Sequence, residues 1–195
     1  MFTHQTRARG FTLVELMVTV AIASILLLIA VPSFTSFRRN AELTSVSNKV
    51  IASINAARGE AMKRGMSAFV APLDNGTDWS VGWASFVDKS VARLGLYIAG
   101  AEGVVATERA VPTGITVTSN QAPPANGYIM FDASGYSRLK TGGFGALTMT
   151  VRRNDVNAAD QPEQTRFIII SSTGRVRSCR PVSAFDPACD ASSTD

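Results

Sequence analysis

The sequence predicts an α+β fold in which one long N-terminal helix packs on a C-terminal antiparallel β-sheet domain. An apolar run at the N-terminus passes directly into a one-sided helical stripe. Beyond Met66 the pattern changes to short β-rich runs separated by turn signals. Once the N-terminal segment is set aside, about 130 of the 195 residues remain, enough for one modest domain.

The N-terminal element begins in "RARGFTLVELMVTVAIASILLLIAVPSF", residues 7–34. Residues 11–31 are apolar apart from Glu15 and a few hydroxyls, and are long enough to cross a bilayer as a helix. The run admits three readings: a secretory signal peptide cut near Ala30, a signal anchor held by Arg7 and Arg9, or a specialised assembly signal. The apolar stretch exceeds the usual length of a signal peptide. An ordinary anchor does not account for Glu15, because a lone carboxylate in hydrocarbon costs a few kcal/mol or more.

Past Pro32, which should kink or locally unwind the helix, Leu43, Val46, Val50, Ile54, Ala57 and Ala61 recur at three- and four-residue steps. Asn48, Lys49, Ser53 and Asn55 fall off that stripe. Lys63 and Arg64 suit the negative C-terminal end and Gly65 offers a cap. A helix from Phe11 to Arg64 would be about 80 Å long. Its second half is placed to pack on a domain, and its first half to serve a membrane or a filament.

The strands expected beyond it are "SAFVAP", "WASFVD", "ITVTS", "YIMFD", "LTMTVRR" and "RFIIIS", with an irregular loop over residues 119–127. "YIMFDASGYSRL" and "FIIISSTGRVRS" echo each other: a strand-like run, a small-residue turn ending in glycine, then an arginine. They are expected to be two similar hairpin turns.

The chemistry of catalysis is sparse. His4 is the only histidine and lies ahead of the apolar run, so the chain beyond that run could form neither a Ser-His nor a Cys-His pair of its own. "TGGFGA", residues 141–146, lacks the lysine of a phosphate loop and fits a hairpin. Asp74, Asp78 and Asp88 match no calcium-loop spacing and fit surface turns. Trp79 and Trp83 suit core packing better than ligand stacking. No cofactor and no metal is expected, and no enzymatic activity.

Two features remain. Cys179 and Cys189, an even pair in a chain with an export signal, suggest a disulfide rather than two free thiols. Such a bridge stabilises by about 3 kcal/mol in the chain-entropy picture. From Gln164 to Pro181 there are four arginines, Arg166, Arg175, Arg177 and Arg180, and no acid. In an extended segment Arg175 and Arg177 share a face, and Gly174 permits a tight turn that presents them. Arg152 and Arg153, with Arg138 and Lys140, could extend the patch. Guanidinium forks suit phosphates, although on these grounds alone a solvated face or subunit salt bridges is the commoner role.

The N-terminal stretch "RGFTLVELMVTVAIASILLLIAVPSF" resembles the class III signal of type IV pilins and pseudopilins. "NKVIASINAARGEAMKRGMSAFV", "WSVGWASFVD" and "IIISSTGRVRSC" resemble the GspH/FimT branch, with residues 90–127 matching poorly. The resemblance implies a leader, 1–10, cut after Gly10 by a prepilin peptidase, with methylation of Phe11. It implies a helix over 11–64, whose segment 11–31 lies in the inner membrane or filament core, and a periplasmic β-rich domain over 65–195. Cleavage would also remove Arg7 and Arg9 and lower the formal net charge of +4 by two, so overall charge says little about nucleic acid. By the same resemblance, Glu15 meets the amino terminus of a neighbouring pilin and sets register. Gly174, Arg175, Val176 and Arg177 match a Gly-Arg-x-Arg motif associated with double-stranded DNA binding in natural transformation. A priming subunit of the pilus, or a GspH-like pseudopilin of type II secretion, is the alternative role.

Overall fold

Helical hydrogen bonding begins where Thr12 accepts the Glu15 backbone N–H on its Oγ1 at 3.2 Å. This is the start of a Ser/Thr-x-x-Glu capping box, with Glu15 in the third helical position. The helix α1 then runs Leu13–Arg64. Helical backbone continues through Pro32, so the expected local unwinding does not occur there. The computed structural model describes residues 10–88, 95–100, 103–120, 127–183 and 186–189, without the side chains of 31–33. The leader positions 1–9, with His4, Arg7 and Arg9, lie outside that range, as does most of the 119–127 loop.

The chain divides into two units, residues 1–39 and 40–195. In the first, Phe11, Leu13, Leu16, Ile22, Leu28 and Ile29 are all exposed, and the segment is long and apolar enough to cross a membrane. In the second, each residue of the predicted stripe, Leu43 through Ala61, is buried. The helix stops where the Met66 N–H bonds back to Ala61 O and Gly65 takes a left-handed φ of 65°. Ser53 is a correction: it lies on the buried face, and its Oγ accepts the indole N–H of Trp83 at 2.9 Å.

The β domain is two antiparallel sheets. One is ordered β3-β2-β1-β5-β6, from β1 (Ala68–Pro72), β2 (Gly82–Val87), β3 (Val104–Arg109), β5 (Ile129–Phe131) and β6 (Ser137–Arg138). The other is ordered β4-β7-β8-β9, from β4 (Ile115–Ser119), β7 (Leu147–Arg153), β8 (Thr165–Ile170) and β9 (Val176–Cys179). The helix stripe, Ala68, Val70, Trp83 and Phe131 of the first sheet, and Val117, Met149, Val151, Ile168 and Ile170 of the second form one core. Both tryptophans are in it, as expected.

Each sheet is also covered on its other face. Phe69, Phe86, Tyr128 and Met130 cluster behind the first sheet, with Tyr97 packed against them. Phe167, Ile169 and the Cys179–Cys189 disulfide cluster behind the second. Strands buried on both sides carry unbroken apolar runs, which is why "FIII" and "AFVA" show no alternation. The strands missed in sequence are β3, β6 and β9, edge strands that are short or half-exposed and therefore carry little apolar signal.

Candidate nucleic-acid interface

The two echoing segments fold into twin turns. In the first, the Asp132 N–H bonds to Tyr136 O at 3.0 Å and the Gly135 N–H to Asp132 O at 2.9 Å. In the second, the Ser171 N–H bonds to Arg175 O at 3.0 Å and the Gly174 N–H to Ser171 O at 2.9 Å. Gly135 and Gly174 have φ of 79° and 78°. The first turn joins β5 to β6 and the second joins β8 to β9, so each sheet contributes one hairpin end.

The twins lie against each other. The Ser137 N–H bonds to Ser172 O at 3.1 Å, linking the two sheets. A Cβ on Gly174 would sit 2.1 Å from Gly135 O, so only a glycine allows the approach. Arg58, half-buried on α1, donates Nε–H to Gly135 O at 3.0 Å and an Nη2 proton to Thr173 O at 3.3 Å. Its guanidinium thus clasps both turns to the helix. Sequence reading missed Arg58 because an arginine on a half-polar helix face carries no local mark of a partner 77 residues away.

The predicted arginines divide sharply. Arg175 follows the clasped Gly174 and is exposed. Arg177 is two residues further along β9, opposite Ile169, and donates to Ala188 O at 3.4 Å. Ile169 lies in the cluster behind the second sheet, so Arg177 shares that outward side. Arg180 is exposed and pairs with Glu163 at 3.5 Å.

Arg166 lies opposite core residue Val151, donates to the carbonyls of Glu163 and Thr165 at 2.8 Å, and has its pKa lowered by burial and by Arg180 nearby. Arg153 does not belong to the exposed set. It is 5% exposed, bonded to Asp155 through Nε and Nη2 and to Glu42 through Nη1, all at 2.8 Å. Those carboxylates raise its pKa against the opposing effect of burial. Its neighbour Arg152 is exposed, because consecutive strand residues face opposite sides. It lines a cavity of about 180 Å³ together with Phe167, Gln161, Pro162, Pro181 and Cys189. Arg152 and Arg177 therefore share the outer side of the second sheet, while Arg153 and Arg166 serve its inner side.

Arg138 and Lys140 are also engaged. Arg138 bonds to Asp132 Oδ2 at 2.6 Å, and its guanidinium carbon stands 4.0 Å from the Phe144 ring centre. Burial works against the Asp132 charge, but Arg138 and the amides of Tyr136 and Ser134 still hold its carboxyl below the ordinary aspartate value. The Lys140 ammonium lies 4.4 Å from the Tyr128 ring centre and has its pKa lowered by burial, with Asp88 opposing.

Asp74 and Asp78 accept backbone N–H bonds from Gly76 and Ser80, and Asp88 from Gly95, as turn acids do. Among the described residues no group of three or more His, Cys, Asp or Glu is placed to hold a metal. The 141–146 segment is a turn, closed by Leu139 N–H to Gly143 O at 2.9 Å, and it leaves Phe144 exposed.

Residues 46–174 match the family described as type II transport protein GspH, and residues 5–31 match the prokaryotic N-terminal methylation motif. No curated protein matches the chain. Among solved structures, the type IV minor pilin FimU of Pseudomonas aeruginosa is similar at 19% identity and a TM-score of 0.52, over 76% of this chain and 99% of that one. The minor pseudopilin EpsH from the type 2 secretion system of Vibrio cholerae is similar at 12% identity and a TM-score of 0.50, over 73% of this chain and 99% of that one. At such identities the likeness is one of fold, and it agrees with the long helix on antiparallel sheets described above. With the family match running from Val46 of the helix stripe to Gly174 of the second twin turn, about two thirds of the chain, the chain belongs to the family described as type II transport protein GspH.

Proposed function

We propose that this protein is incorporated into a type IV pilus and binds extracellular double-stranded DNA for uptake in natural transformation. In this reading a prepilin peptidase removes residues 1–10 and Phe11 is methylated. Residues 11–31 then span the inner membrane once, with residues 65–195 periplasmic until assembly carries them outside. Other pilin subunits are the partners along α1.

The observation that carries the DNA reading is Arg175, exposed on a turn that Arg58 and the twin turn hold in place. A guanidinium on a fixed turn loses little freedom when it meets a phosphate. Arg177 and Arg152 add positive charge on the outer side of the same sheet, and Arg180 adds an exposed cation beyond β9. Non-specific backbone binding needs such charge and no base-reading groups.

The test is titration of the full chain in nonionic detergent with duplex DNA at several salt concentrations. The expected result is binding whose salt slope falls by about two when Arg175 and Arg177 are both replaced by alanine. No binding by the wild type at low salt would refute the DNA role. The role would then pass to pilus priming or to type II secretion, which the description of the matched family favours.

Glu15 is proposed as the register group, pairing with the amino terminus of a neighbouring subunit and so offsetting the desolvation of both charges. Its place in the first turn also puts a carboxylate at the positive end of α1. Glu15→Ala should remain in the membrane but be depleted from sheared filaments. Normal incorporation would refute the register role.

A further inference from the structure

Beside the clasped turns lies an aromatic corner that the assembly helix, the core and the arginine face do not use. Tyr136 and Phe144 are 41% and 58% exposed, in a domain whose other large rings are mostly buried. Their ring centres are 5.7 Å apart and their planes meet at 64°, edge to face. The Arg138 guanidinium carbon stands 4.0 Å from the Phe144 ring centre and 5.9 Å from that of Tyr136. Asp132 fixes Arg138 in that position with a 2.6 Å bond. The corner is thus pre-arranged, with side-chain freedom already spent.

Its position ties it to Arg175. Tyr136 follows Gly135 as Arg175 follows Gly174, in the same place of each twin turn. The turns touch through the Ser137–Ser172 hydrogen bond and the approach of Gly174 to Gly135 O. Around this junction stand the guanidiniums of Arg58, Arg138 and Arg175, of which Arg138 is bonded to Asp132.

Exposed rings braced by a guanidinium, next to an exposed cation, match a planar group carried on a polyanion. The geometry points to a site for an unpaired nucleobase: a single-stranded DNA segment stacks a base in the Tyr136–Phe144 corner while Arg175 takes an adjoining phosphate. A duplex hides its base faces within its own stack and cannot use the corner. This rests on the DNA reading above and adds to it a preference for single strands and frayed ends.

The experiment titrates the full chain in nonionic detergent with three probes of equal length: an oligothymidylate, an abasic strand with the same phosphates, and a duplex. The wild type is expected to bind oligothymidylate about tenfold more tightly than the abasic strand. In Tyr136→Ala/Phe144→Ala that gap should close, while salt-dependent binding of the abasic strand persists. Tyr136→Phe, which keeps the ring and loses only the hydroxyl, should retain the gap. Equal binding of thymidylate and abasic strands by the wild type would overturn the base site and leave the DNA reading intact. Binding of no probe would overturn both. A gap that survives the double alanine variant, with that variant lost from filaments, would make the rings a subunit contact and end the proposal.

Discussion

Replacing Gly174 by alanine should be far more damaging than the same change at its twin, Gly135. Both have φ near +79°, so each alanine would carry the left-handed penalty of about 1–2 kcal/mol. They differ in what the new methyl meets. At Gly174 it would lie 2.1 Å from the backbone oxygen of Gly135 and 3.0 Å from Arg58 Nε, and neither can leave without opening the junction. Separating the turns breaks the Arg58 bonds to Gly135 O and Thr173 O and the Ser137–Ser172 bond, each contributing about 1 kcal/mol net. The total for Gly174→Ala is then about 4–5 kcal/mol. At Gly135 the new methyl would meet Met62 Sδ at 2.8 Å, the end of a flexible side chain that is 49% exposed and can swing aside, and Arg58 Nε at 3.2 Å, which must give by only a few tenths of an ångström. Gly135→Ala should therefore lose mainly the backbone penalty of about 1–2 kcal/mol, with a small loosening of the Arg58 bond added.

Urea unfolding of the full chain in nonionic detergent, followed by the fluorescence of buried Trp79 and Trp83, measures both variants. If the two lie within 1 kcal/mol of each other, the close approach of the turns is not what requires Gly174. A second check is the Arg58→Ala background, in which the penalty at Gly174 should shrink because part of the clasp is already gone.

The paired arginines of β7 should behave oppositely. Arg153→Ala removes the buried guanidinium's three bonds to Glu42 and Asp155 and should cost about 2–3 kcal/mol, the partial exposure of those carboxylates moderating the loss. Arg152→Ala should change stability by no more than about 0.5 kcal/mol, and unfolding midpoints of the two variants decide between these expectations. Reducing the Cys179–Cys189 bridge should remove about 3 kcal/mol and loosen the cover over Phe167 and Ile169. A melting curve indifferent to reductant would contradict that.

Much of this protein was legible in one dimension. The bilayer-length apolar run and the helical stripe from Leu43 to Ala61 announce themselves because helix periodicity is local. The twin turns were visible as an echo, since a glycine with left-handed φ at the fourth position of each turn is a local requirement of the backbone. Strand alternation already implied that Arg152 and Arg153 face opposite sides, yet the sequence reading grouped both in one patch. The edge strand β3 left little trace, its half-exposed positions giving no strong apolar period.

What only the tertiary structure decided is which polar groups are spent on the fold. Sequence placed Arg153 and Arg175 in one basic cluster. Folding buries the first against carboxylates from α1 and its own loop, and leaves the second on the surface. Sequence offered Gly174 as half of a binding motif, whereas its φ and the approach of Gly135 O give it a structural duty first. Arg58 and the Tyr136–Phe144 corner emerged only when two sheets and a helix met. The reason is physical: periodicity and turn chemistry are fixed within a few residues, but a guanidinium's partner is fixed by whichever distant carbonyl, carboxylate or ring the fold brings within reach.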